Sequence, residues 1–206
     1  MDFKRTANAG GLITLDGVSI LIDGVCRELK PYQGTPQNIL NELSSCYPDI
    51  LAFTHTHTDH YDEAYVNMYK KDTLRSVLRP ELSDIKTVKN VEIIGIPTRH
   101  IGKNDVPHLS YIINGSKCVW FTGDASPLVF KNFTSLPVPD VLIVTHAYVT
   151  SPSAWKIVKS TGAKKVILLH MPKREDDEYG LWDAMENIIR NDPCLCIPKI
   201  GEIINI

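Results

Sequence analysis

The chain has 206 residues, 43% of them hydrophobic and 22% charged, with a formal net charge of -2. That length suits one sizeable core, so residues 1–206 are read as a single domain. Disordered and collagen-like classes are excluded, and the short, scattered basic pairs Lys70-Lys71, Lys164-Lys165 and Lys173-Arg174 do not favour nucleic acid.

Met1 to Gly11 carries no apolar core long enough for a secretion signal, and no later stretch approaches the ~18 apolar residues of a membrane span. A cytoplasmic protein is expected. Cys26, Cys46, Cys118, Cys194 and Cys196 form no Cys-x-x-Cys pair and fit reduced thiols in that compartment. Leu12 to Thr14 and Val18 to Ile22 are β-branched runs that read as strands. Pro36 to Cys46 has helical spacing, and Ile50 to Phe53 is an apolar run of buried-strand type. Strands follow at Val91 to Ile96, Tyr111 to Ile113 and Val119 to Phe121, with Asn114-Gly115 predicting a hairpin between the last two. A strand over Val141 to Val144, a helix over Pro152 to Ser160 capped by Ser151, and a strand over Val166 to Leu169 come next. A helix over Glu178 to Arg190 and a strand over Ile203 to Ile206 complete a mixed α/β chain without a linker-like stretch.

Leu29 to Gln37 and Tyr61 to Lys71 are read as loops that would carry specificity. Pro48 to His55 echoes Pro139 to His146, each a buried strand ending in Thr-His. Duplication and coincidence stand equal, and both strands are expected to aim their C-terminal ends at a common cleft.

The most informative segment is Thr54-His55-Thr56-His57-Thr58-Asp59-His60, directly after Ile50 to Phe53. Imidazole nitrogens and carboxylate oxygens are the donors that Zn2+ and similar borderline ions take, and a loop leaving a strand can converge several on one point. One loop rarely completes such a site. Further donors stand just past other apolar runs: His100 after Val91 to Ile96, Asp124 after Val119 to Phe121, and His170 after Val166 to Leu169. Alone, an Asp after Gly closes a turn and a His at a strand end makes a hydrogen bond; the ordered set is what points to metal. His100 and His108 both precede Leu109-Ser110-Tyr111, which leaves two choices for a third donor. Asp23 reads as a carboxylate that holds the neighbouring metal loop by hydrogen bonds.

In its order, His-x-His-x-Asp-His, then His, Gly-Asp and His, the chain resembles the metallo-β-lactamase superfamily of metal-dependent hydrolases. Leu21-Ile22-Asp23-Gly24 and the ending Gly201-Glu202-Ile203 extend the resemblance over nearly the whole chain. It implies an αββα four-layer sandwich with the site at the rim where strands end. It also implies two divalent ions, zinc first with manganese or iron as alternatives. Carried over by position, His55, His57 and His100 would hold one ion, Asp59, His60 and His170 the other, and Asp124 would bridge. His100 is preferred to His108 because it follows its strand as the family's ligand does; His108 would then line the cleft. The implied chemistry is hydrolysis of an ester-type bond of a small molecule, a phosphodiester or a lactone, by a hydroxide shared between the ions. Asp59 and Asp124 would orient that nucleophile and take up its proton. His146 is a candidate proton donor and Tyr148 a candidate substrate contact. The chain lacks the His-Thr-Pro-Gly-His run of the glyoxalase II and acyl-homoserine lactonase branches and the added domains of the RNA-cleaving ones. His57 stands where the flavodiiron branch has Glu, which argues for hydrolysis over iron redox chemistry. The short layout looks similar to the ascorbate-phosphate lactonase and N-acyl-phosphatidylethanolamine phospholipase D group. Non-catalytic ligand binding and iron-based oxidation are the alternatives.

Overall fold

Strands whose alternate residues are apolar bury one face each, and this chain uses that rule twice over. The computed structural model describes residues 1–81, 85–102, 105–132 and 135–206. The elements in chain order are β1 (Asp2–Arg5), β2 (Gly11–Leu15), β3 (Val18–Ile22), α1 (Gln37–Ser45), β4 (Ile50–Ala52), α2 (Glu63–Thr73) and β5 (Val77–Leu78). They continue with β6 (Ile85–Val88), β7 (Val91–Pro97), β8 (Leu109–Asn114), β9 (Cys118–Phe121), β10 (Val141–Thr145) and α3 (Pro152–Ser160). β11 (Lys165–Leu169), α4 (Leu181–Asn191), β12 (Leu195–Cys196) and β13 (Ile203–Asn205) end the chain.

One sheet runs β13-β1-β2-β3-β4-β5 and the other β12-β11-β10-β9-β8-β7-β6. Ile20, Ile22, Ile50 and Ala52 of the first face Phe121, Val141, Ile143 and Ile167 of the second across an apolar interior. The alternate residues point the other way. Leu21 and Leu51 pack with Ile39 and Leu43 of α1 and with Tyr65 and Tyr69 of α2, while Leu142, Val144 and Leu168 pack with Val158 of α3 and Met185 of α4. Helix, sheet, sheet, helix is the expected αββα order. β3-β4-β5 and β9-β10-β11-β12 pair in parallel, so the ends of β3, β4, β9, β10 and β11 emerge on one rim. No helix among the described residues is long and apolar enough to cross a membrane.

Several expectations shift. Tyr61 to Lys71 is not a loop: α2 occupies most of it, begun by the Asp62 side chain accepting the Tyr65 N–H at 2.8 Å. Its buried face is Tyr65, Val66 and Tyr69, and aromatic residues hide the helical spacing. Helix α4 starts at Leu181 rather than Glu178, because the Asp177 carboxylate accepts the Leu181 and Trp182 N–H groups. Ser151 stands at the cap position of α3, but its hydroxyl pairs with Ser153 instead of the helix. Strands β1, β5, β6 and β12 are two to four residues long and carry too little periodicity to read.

The Pro-Asp echo has a physical meaning. Asp49 Oδ2 accepts the Ser19 N–H and hydroxyl at 2.9 Å each, and Asp140 Oδ2 accepts the Cys118 N–H at 2.9 Å, so each carboxylate ties its strand to the start of the neighbour. Hydrogen bonds from Ser19 hold the Asp49 carboxyl below its ordinary value; those from Lys164 and Cys118 do so for Asp140. Depressed folded values stabilise the chain above the unfolded pKa of about 3.9, and that contribution is lost as pH falls through the folded values. Replacing both with Asn is expected to flatten the acid limb of a thermal-melt series below pH ~4; an unchanged limb would refute the assignment.

Candidate metal centre

Parallel strand ends deliver the site. After β3 comes Asp23, after β4 comes Thr54 to His60, after β9 comes Asp124, after β10 comes His146 and after β11 comes His170. The loop from Thr54 is drawn tight by His60 and Tyr61 N–H groups donating to the His57 carbonyl at 2.9 Å. The Leu109 N–H bonds to the Thr54 carbonyl at 2.8 Å, and Tyr111 donates its hydroxyl to the Phe53 carbonyl. An antiparallel bridge between His100 and Ala125 lays the two remaining donor segments side by side.

The fully buried Asp23 anchors the loop. Its carboxylate accepts the Thr54 N–H at 2.7 Å, the Thr54 hydroxyl at 2.6 Å and the His60 Nδ1–H at 2.9 Å. Since the Thr54 proton goes to Asp23, its oxygen accepts from His55 Nδ1 at 3.0 Å, which leaves a lone pair on His55 Nε2, 3.0 Å from His57 Nδ1. The same logic frees Nε2 of His60 and of His100, whose Nδ1 donates to the Ile101 carbonyl at 2.6 Å. Both of these nitrogens are buried without a hydrogen-bond partner. Backbone conformation is spent here too: Asp23 and His170 sit at φ 47° and 59°, in the left-handed region that non-glycine residues avoid. Gly123 is at φ 54°, and a Cβ there would lie 2.6 Å from the Thr54 side chain, so only glycine lets the Asp124 segment approach the histidine loop.

Two donor sets converge. Ligand atoms of His55, His57 and His100 lie within 4.8 Å of one another, as do those of Asp59, His60 and His170. Asp124 Oδ2 reaches both sets, at 3.5 Å from His60 Nε2 and 3.7 Å from each of His100 Nε2 and His170 Nε2. Two donors bound at the usual ~2.0–2.1 Å to a tetrahedral ion stand roughly 3.4 Å apart, so these separations suit a shared cation better than a direct hydrogen bond. The orphaned nitrogens and the His-rich, carboxylate-containing set therefore fit divalent metal. His57 is exposed, which leaves the centre open to solvent on that side.

The electrostatics agree. Burial works against ionised Asp124, but the neighbouring His170 and His60 charges outweigh it and hold its carboxyl well below the carboxylate range. Burial likewise opposes ionised Asp59, and the His170 Nε2 contact at 3.0 Å with the His60 charge overcomes it. His55 and His57 are pushed down by burial and by neighbouring imidazoles, which keeps them neutral and able to donate lone pairs.

The remaining candidates separate clearly. His100 joins the first set and His108 does not: Thr98 holds its Nδ1 at 2.8 Å, and burial pushes its pKa down to about 3. At 4% exposure with Nε2 unpartnered, His108 lies beneath the site, its ring 5.2 Å from that of His55. His146 donates Nδ1–H to the His170 carbonyl at 2.8 Å, and burial lowers its pKa, so its outward Nε2 is a proton acceptor at neutral pH. The expectation for Tyr148 is corrected. It is fully buried in the layer outside the second sheet and spends its hydroxyl on the Ala125 carbonyl at 2.7 Å, so it steadies the Asp124 segment and cannot touch substrate. Tyr148→Phe is expected to cost ~1 kcal/mol in urea unfolding and leave KM unchanged, whereas a substrate contact would raise KM.

Two contributors have no readable sequence signal. Tyr32, on the expected specificity loop, sets its ring edge against His170 at 4.2 Å, and burial with Asp124 and Asp59 nearby pushes its phenol up to about 12. Asn8 accepts the His170 N–H on its backbone carbonyl at 3.0 Å.

No protein-family model matches the sequence, and no curated protein does. Solved structures do. An isothiocyanate hydrolase from Delia radicum gut bacteria superposes with a TM-score of 0.71 at 16% identity, covering 100% of this chain and 99% of its own. The metallo-beta-lactamase fold protein YhfI from Bacillus subtilis gives 0.62 at 19%, covering 97% and 92%. CmlA, a diiron beta-hydroxylase from Streptomyces venezuelae, gives 0.66 at 12%, covering 100% of this chain and 54% of its own.

Proposed function

We propose that this chain, which has the metallo-β-lactamase fold, is a metal-dependent hydrolase acting on an ester-type bond of a small molecule, with a phosphodiester or lactone as the leading substrate forms. The observation that carries this reading is Asp124 Oδ2 standing 3.5–3.7 Å from histidine nitrogens of both donor sets. His55, His57 and His100 would hold one divalent ion, Asp59, His60 and His170 the other, and Asp124 both. Zinc suits the nitrogen-rich set best, and manganese and iron accept the same donors.

Bound there, the metal pair would polarise a scissile oxygen and make water nucleophilic near neutral pH. The residues around it do the rest. Asp59, kept ionised beside His170, is placed to accept the proton that water gives up. His146 presents a neutral Nε2 beside His170, where it can receive that proton and return it to the leaving group. Asp23 fixes the tautomer and direction of His60. His108 is buried beside the first donor set, its ring 5.2 Å from that of His55. One domain over residues 1–206 carries the whole site, and the five free cysteines fit a cytoplasmic setting.

Metal analysis of the purified protein, together with a panel of chromogenic phosphodiesters, lactones and carboxylic esters, tests this. Bound metal, turnover of one class and its loss in His57→Ala are expected. Metal-replete protein that turns over none, with tight binding of an unmodified metabolite, would favour ligand binding without catalysis. Iron with visible absorbance in anaerobically purified protein would favour oxidation chemistry, which the fold also hosts in CmlA, a diiron beta-hydroxylase.

A further inference from the structure

One residue past His170 the chain enters a cavity of about 570 Å3, within the roughly 300–1,000 Å3 of small-molecule sites. Its rim and base carry four cations, Arg5, Lys173, Arg174 and Lys199, and among the described residues no carboxylate lines it. None of the four makes a salt bridge among the described residues. Its walls are apolar, with Trp182 and Leu195 prominent, and Arg174 lies over the Trp182 ring at 4.4 Å.

Arg5 is the unusual member. It is only 7% exposed, and burial pulls its pKa down to about 10. Its contacts are all backbone carbonyls: Nε donates to Ala7 at 3.1 Å, Nη1 to Pro198 at 2.9 Å and Nη2 to Asn8 at 3.0 Å. A guanidinium has five N–H donors, so one remains on each terminal nitrogen. Those bonds satisfy geometry and leave the charge uncompensated, and a buried cation without a counter-charge is costly. An anion in the cavity would supply that charge and take the two spare donors.

We propose that this cavity binds a small molecule carrying a carboxylate or phosphate on an apolar body. The head group meets Arg5 and the rim cations, and the body lies against Trp182 and Leu195. Because Asn8 accepts hydrogen bonds from both Arg5 and His170, the occupied cavity borders the metal centre through one shared carbonyl. The inference does not depend on what that centre hydrolyses.

The test is calorimetric titration of the full-length protein with octanoate, octyl phosphate and octanol, before and after replacing Lys173, Arg174 and Lys199 with Gln. Those side chains are exposed or half-buried and keep their stems as Gln, so folding is preserved, which a thermal melt verifies. Both anions should bind the unaltered protein, with octanol at least about tenfold weaker. The triple variant should lose about tenfold or more for the anions and nothing for octanol. Tryptophan quenching by the anions should disappear in Trp182→Phe. Equal binding of octanol, anion binding undiminished in the triple variant, or no binding of either anion would each overturn the proposal.

Discussion

Asp124→Ala will yield a folded chain that retains at most one ion and turns over roughly 10^3-fold more slowly than the parent. The expectation follows from position. Among the carboxylates of the described residues, Asp124 Oδ2 lies within 3.7 Å of His60, His100 and His170 together, so it reaches both donor sets. It also sets their charge. Burial disfavours protonated His60, but Asp124 first and Asp23 second hold its pKa well above the ordinary value, so in this nest a proton competes with a cation for Nε2. Removing the carboxylate withdraws the negative charge that would attract either. Asp124→Asn keeps the shape and loses the charge, and is expected to behave nearly as badly. Metal per chain by mass spectrometry and kcat on the best substrate decide the matter: two ions with kcat within about tenfold of the parent would remove Asp124 from the centre.

The second large effect belongs to a residue that touches no metal in this reading. Asp23→Ala is expected to cost about 3–5 kcal/mol and to weaken metal affinity 10–100-fold. Its carboxylate is fully buried and accepts three hydrogen bonds, so truncation leaves the Thr54 N–H and His60 Nδ1–H without an acceptor in the interior and the Thr54 hydroxyl with only its contact to His55 Nδ1. His60 then loses the contact that orients its ring. Urea unfolding of the chelator-treated protein measures the first quantity, and competition against a chromophoric chelator the second. An unfolding midpoint equal to the parent's would mean that the loop holds itself. Asp23→Asn should fall between, because an amide oxygen can still accept from Thr54 but its NH2 opposes His60 Nδ1–H.

Much of the fold was legible because parallel strands buried on both faces read as continuous apolar runs, and this chain has several of them. The donors were legible for a related reason. Each candidate stands within a few residues past such a run, so strand assignment and the choice of candidate donors were one inference, and the resemblance supplied the proposed pairing. The short edge strands and helix α2 escaped, since two-residue strands and a Tyr-rich helical face leave no clear period. Tyr148 was misjudged because sequence distance from His146 says nothing about side: neighbouring residues on this turn face the centre and the outer layer respectively.

By itself, the sequence determined a mixed α/β chain and marked His55, His57, Asp59, His60, His100, Asp124 and His170 as candidate donors, because burial patterning and donor chemistry are local properties of a chain, while the αββα class came from the resemblance that this order carries. Only the tertiary structure shows that the ligand atoms of His100 lie within reach of those of His55 and His57, that Asp124 Oδ2 stands near both sets, that Tyr32 and Asn8 contact His170, and that Arg5 shares the Asn8 carbonyl with it. Those facts depend on distances between segments up to more than a hundred residues apart, as between Asp59 and His170. Such distances are set by sheet register and loop packing, which no single stretch of sequence encodes.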